Sequence, residues 1–148
     1  MVELGVARRE ELAQLVALLG ILFSQEAEFI PDDAKQTRAL EKILSDGSVG
    51  TVYVARDEGR VIAMATLVYT ISTAEGGVAA LFEDLIVQPG HRGRGVATAL
   101  AQFVIQEARK QGVLRLTLLT DMQNERAQAL YRKLGFADST MKPMRLKL

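Results

Sequence analysis

Between residues 79 and 111 the chain passes from an apolar β-type run, Ala79 to Val87, through the loop Gln88-Pro-Gly-His-Arg-Gly-Arg-Gly95, into a segment of helical period. No other stretch constrains the fold as strongly. A largely apolar strand belongs in a sheet interior. Val96, Leu100, Phe103, Val104 and Ala108 give the following helix, residues 96–111, one apolar stripe to lay on that sheet, and Gly112 stops it. The helix start leaves backbone N–H groups unpaired and carries a partial positive charge. Gly93 and Gly95 permit positive φ and close approach to the backbone. Arg92 and Arg94 add two positive charges, and residues 88–98 contain no acid. The physical reading is a phosphate or pyrophosphate cradle. The plain alternative is a surface turn with solvated arginines.

The rest of the chain fits around this unit. Leu12, Leu15, Val16, Leu19, Leu22 and Phe23 recur at spacings of three and four and predict a helix over 9–23. After Pro31, Asp32 or Asp33 caps a second helix over 34–45. Residues 51–55 and 61–71, separated by Arg56-Asp-Glu-Gly59, read as an antiparallel hairpin. Residues 113–119 read as a strand, 124–134 as a short helix closed by Gly135, and 136–148 as a last strand with Pro143 in or beside it. The order helix, helix, three strands, helix, strand, helix, strand predicts an α/β or α+β fold with a mixed sheet.

Composition narrows the function. A chain of 148 residues fits one domain, residues 1–148. Eighteen basic residues balance eighteen acidic ones, against a nucleic-acid or anionic-membrane coat. With no cysteine and one histidine, thiolate chemistry, Cys-based zinc and multi-histidine metal sites are excluded, and no metal is expected. No secretory leader or ~20-residue apolar span is visible, so a cytoplasmic location is the expectation.

Two phosphate-loop designs fail against these residues. A P-loop needs Gly-Lys-Ser/Thr, which is absent. The dinucleotide fingerprint G-x-G-x-x-G/A meets Thr98 at its third place and lies too late for a two-halved dinucleotide fold. The segment Leu85 to Leu100 instead resembles the acetyl-CoA signature of the GCN5-related N-acetyltransferases (GNAT). That family's Gln/Arg-x-x-Gly-x-Gly/Ala core is matched by Arg92-Gly93-Arg94-Gly95-Val96-Ala97. A second family signature reads Asn124-Glu-Arg-Ala-Gln-Ala-Leu-Tyr131-Arg-Lys-Leu-Gly-Phe136. The two motifs stand in family order, and the N-terminal third matches in pattern alone.

The resemblance implies a mixed, mostly antiparallel sheet flanked by helices, with a splayed strand pair holding acetyl-CoA as cosubstrate. Backbone at Ile86 and Val87 would pair with the pantetheine arm. Main-chain amides from Arg92 through Gly93, Arg94, Gly95, Val96 and Ala97 to Thr98 would hold the pyrophosphate. The two arginine side chains would act more through charge than through a fixed hydrogen bond. Asn124 would contact the cofactor arm, and it also suits a helix N-cap. Tyr131 would protonate the departing thiolate; the plain alternative is a core aromatic.

An amine nucleophile must lose a proton before attack. Glu83 is the leading base, directly or through a water, as in members resembling polyamine acetyltransferases. Burial in an apolar strand would raise its pKa. Strict alternation puts Glu83 and Asp84 on opposite faces, with Asp84 a structural acceptor. Tyr69, Glu26 and Glu28 are further substrate-contact candidates, each with a plain structural or solvated alternative. His91 occupies a variable loop slot and is read as non-catalytic. The expected activity is acetyl transfer to the primary amine of a small molecule in a ternary complex, with neither nucleic acid nor membrane as partner. Homodimers occur in the family. The alternatives are a non-catalytic acetyl-CoA-binding regulatory module and a nucleotide-binding module.

Overall fold

The computed structural model describes residues 1–26 and 28–148. The elements are β1 (Val2–Val6), α1 (Leu12–Gln25) after a 3-10 turn at Arg9–Glu11, α2 (Asp33–Ser45), β2 (Gly50–Asp57), β3 (Arg60–Ser72) and β4 (Gly77–Val87). After a 3-10 turn at Pro89–His91 come α3 (Val96–Lys110), β5 (Leu116–Thr117) and α4 (Glu125–Lys133). The five strands form one sheet in sequence order. All neighbours are antiparallel except β4 and β5, which run parallel.

Period-2 alternation sorts the core onto the two faces of this sheet. Tyr53, Ala55, Ala63, Ala65, Leu67 and Phe82 meet Leu100 and Val104 of α3. Val52, Val54, Met64 and Ile86 meet Leu15, Leu18 and Leu19 of α1 and Leu40 of α2. Asp32 caps α2, accepting from the Lys35 amide at 3.2 Å, while its own amide donates to Gln36 Oε1 at 2.7 Å.

The structure departs from the sequence reading at both ends. β1 was not expected. It is a half-exposed edge strand, registered Val2↔Asp57 to Val6↔Tyr53 on β2, and a long-range side-chain clamp holds it. Arg56 donates from Nη2 to the Val6 carbonyl at 2.9 Å and from Nη1 to Glu3 at 3.2 Å. At the other end, the strand expected over 113–119 shortens to Leu116 and Thr117, with Leu114 and Arg115 bonded to Val78 and Ala80 just before it, and no strand forms over 136–148. A terminal strand needs a partner edge, and β5 offers two residues. Pro143 adds no donor. Met141, Met144 and Leu146 stay exposed.

Arg56 also grips Glu11 through two 2.7 Å bonds, from Nε and Nη2 to the two carboxylate oxygens. Both side chains are buried. The Arg8 amide adds a third bond to Glu11 at 2.7 Å. The guanidinium holds the Glu11 carboxyl below its ordinary 4.5. Its stabilisation is therefore present above that pH and lost as pH falls through the lowered value. Glu11→Ala strands a buried guanidinium and should cost about 3–5 kcal/mol in urea unfolding, whereas replacing both partners with leucine should cost much less.

Candidate active site

The β3–β4 ladder contains one irregularity. Thr66 pairs with Glu83 and Met64 with Ile86, so Asp84 and Leu85 together oppose Ala65. This is a bulge, one residue longer on β4. Asp84 takes it up with φ of 58°, a left-handed conformation that Asp tolerates better than most side chains. Beyond it, Leu85 packs against the α3 cluster and Ile86 against the α1 cluster. Strict alternation therefore does not carry across position 84.

On its other edge β4 pairs with β5 at Ala80↔Leu116 and Leu81↔Thr117. Among the described residues no strand covers that edge from Phe82 to Val87. The two strands part there. Ile86 and Val87 are buried and keep their pairing to Met64 and Ala63 on β3.

The carboxylates at the parting do not behave as expected. Glu83 is exposed rather than buried. Asp84 is the proton-avid group: burial, then the charges of Glu83 and Glu26, push its carboxyl up to about 7. From the parallel pair Leu81↔Thr117, Asp84 lies three residues on along β4 and Asp121 four residues on beyond β5. Glu26 follows the last turn of α1, the negative end of that helix. Burial and the charges of Asp121 and Glu28 raise its pKa. Thr66, 1% exposed and on the same face as Glu83, has a hydroxyl with no hydrogen-bond partner.

Tyr131 lies on α4 in an edge-to-face triad with Phe82 and Phe136, at ring separations of 5.9–6.2 Å. Burial and the Glu26 charge raise its phenol pKa, which keeps it a proton donor at neutral pH. Asn124 caps α4, accepting from the Ala127 amide at 3.1 Å. Both plain roles, aromatic packing and capping, are thus realised, and both leave a polar group to spare.

Past Val87 the chain turns through Gly93 and Gly95, at φ of 76° and 77°, into α3. A Cβ on either glycine would meet nothing within 4 Å, so the loop backbone is open to approach. Among the described residues no protein acceptor takes the amides of residues 93–98. These are the unpaired donors of a helix start, in a loop with two arginines, and they fit a pyrophosphate. Arg92 also has a fixed role, donating from Nε to the Val87 carbonyl at 3.1 Å and so closing the loop onto the strand end. His91 lies 3.6 Å from Asp57 at the β2–β3 turn. Tyr69 is taken up elsewhere, sharing a 2.7 Å bond with Thr51 and donating to Gln111 at 3.0 Å. Glu28 pairs with Arg145.

Residues 15–136 match the acetyltransferase (GNAT) family. The chain belongs to that family. It is 27% identical over 126 residues to the uncharacterized N-acetyltransferase YhfO of Bacillus subtilis, covering 84% of this chain and 85% of that protein. A possible acetyltransferase from Clostridium difficile superposes with a TM-score of 0.90 at 18% identity, over 100% of this chain and 98% of the other. A predicted acetyltransferase from Clostridium acetobutylicum, solved with acetyl-CoA, gives 0.80 at 21% identity, over 99% and 96%. Family and relatives make the chain an N-acetyltransferase, and the structural likenesses establish its fold.

The Asp84 carboxyl binds its proton more tightly in the folded state, at about 7, than at its ordinary 3.8. Folded protein therefore holds the extra proton between those values. The group's contribution to stability is full below 3.8 and is lost as pH rises through about 7. Asp84→Asn, which keeps the left-handed backbone accessible, should raise the thermal midpoint at pH 8 and flatten its decline between pH 5 and pH 8.

Proposed function

We propose that this GNAT chain transfers the acetyl group of acetyl-CoA to the primary amine of a small molecule, by direct attack within a ternary complex. The observation that carries the reading is a juxtaposition. The unpaired amides of residues 93–98 adjoin the end of β4, and the parting of β4 from β5 opens beside it.

Acetyl-CoA supplies an activated acyl group on sulfur. The amides from Gly93 to Thr98, with the charges of Arg92 and Arg94, hold its pyrophosphate. The uncovered β4 edge through Ile86 and Val87 takes the pantetheine arm, and an edge amide there polarises the thioester carbonyl. Asn124 orients the arm from the α4 N-terminus.

Asp84, held up to about 7, has a proton affinity suited to a base, because a base works best with a pKa near the operating pH. Asp84 takes a proton from the incoming ammonium. Glu83, exposed beside it, guides the amine and relays the proton to solvent. Tyr131 gives a proton to the sulfur as the carbon–sulfur bond breaks, and the second proton, shed by the newly acylated nitrogen, restores the phenol.

Acetyl-CoA at ~100 times its dissociation constant should add about 2.7 kcal/mol of stability in a thermal melt. An unchanged midpoint at millimolar acetyl-CoA would sink the reading. Asp84→Asn should lower kcat by about 100-fold or more, Glu83→Gln by less, and the wild-type kcat/KM should rise with pH through about 7. Tyr131→Phe should lower kcat by at least about tenfold with little change in acetyl-CoA affinity. Undiminished turnover would remove Tyr131 from the mechanism.

A further inference from the structure

Acidic groups reach the acceptor side of the site from separate elements. Glu26 comes from the end of α1, Glu83 and Asp84 from the β4 bulge, and Asp121 from the segment after β5. Asp84 and Asp121 follow one parallel pair at three and four residues, and Glu26 feels Asp121 and is felt by both Asp84 and Tyr131. Glu28 lies next along the chain, but Arg145 neutralises it, and that guanidinium also rests 5.7 Å from the Phe29 ring centroid. The protein thus seats one of its own cations at this mouth. Among the described residues no basic side chain pairs with Glu26, Glu83, Asp84 or Asp121. The Thr66 hydroxyl, buried beside Glu83 with no partner, is a further polar group left for a ligand or its water.

One ammonium on the substrate cannot answer this charge, because it must become neutral to react. We infer that the acceptor is an amine carrying a second positive charge, the reacting nitrogen at Asp84 and the remote ammonium between Glu26 and Asp121. This deepens the acetyltransferase reading and rests on it. The remote cation stays protonated through the reaction, so its contacts bind and orient without entering the chemistry. An amine bearing phosphate or carboxylate would meet like charge and be rejected.

The test compares kcat/KM for 1,4-diaminobutane, 4-amino-1-butanol and glucosamine 6-phosphate, with an acetyl-CoA thermal shift measured on every protein used. The diamine should exceed the amino alcohol by about tenfold or more, with the anionic amine slowest. Glu26→Gln and Asp121→Asn should each shrink the diamine-to-alcohol ratio by at least about threefold. Asp121 is exposed, so its variant serves if the Glu26 variant folds poorly. Equal use of diamine and alcohol, no turnover of the diamine, or a ratio unmoved by both variants overturns the inference while an intact acetyl-CoA shift leaves the transferase reading standing. Loss of that shift in the wild-type protein overturns both.

Discussion

The proposed site hangs on how β4 meets its two neighbours. On one side it is bound to β3 along nearly its whole length, with a single extra residue at Asp84. On the other it touches β5 for two residues and then runs free. A strand held firmly on one edge and open on the other is a ready pairing surface, because its unpaired N–H and C=O groups are already fixed in direction. The bulge re-aims the side chains at the point where the open edge begins. Without the extra residue, the stretch from Glu83 to Ile86 would be registered one place differently, and carboxylates and apolar groups would exchange faces.

The scaffold is correspondingly rigid away from that gap. Two apolar clusters sandwich the sheet, and the β2–β3–β4 strands supply both. The Arg56–Glu11 clamp ties β1, β2 and the start of α1 into one unit at the edge farthest from the parting. A buried ion pair of this kind adds little net energy over a well-packed apolar pair, but breaking half of it is costly. It therefore fixes the register of the terminal strand, which has little apolar burial of its own. At the opposite edge no such device exists among the described residues: β5 is two residues long and the terminal segment adds no strand. The sheet is tied down at its β1 edge and open at its β4–β5 edge.

The electrostatics follow from the same geometry. Asp84 and Asp121 lie three and four residues past one parallel pair, and Glu26, at the end of the helix packed on β4, is coupled to both. Partial burial of several like charges disfavours their ionisation, which is why the Asp84 carboxyl reaches about 7 while the overall chain is charge-balanced. Across the loop the sign reverses: two arginines and a helix N-terminus face outward without an acid among residues 88–98. A negative acceptor side and a positive cradle stand on either side of one strand end.

Read as a string, the sequence determined most of the local structure. Helical stripes, the hairpin around Arg56–Gly59, the strand–loop–helix unit and the capping residues Asp32 and Asn124 are set by periodicity and by backbone chemistry within a few residues. The two motifs, at 92–97 and 124–136, sufficed to mark the family. What only the tertiary structure decided depends on contacts between distant segments. β1 exists because Arg56, some fifty positions away, holds it. The expected strand over 136–148 fails for want of an edge to join. The partly buried carboxylate is Asp84, while Glu83 stays exposed, because a bulge has no signature in residue spacing and burial belongs to the packed molecule. Local propensity can be read along the chain, whereas register, burial and the field of converging charges arise once the elements are packed together.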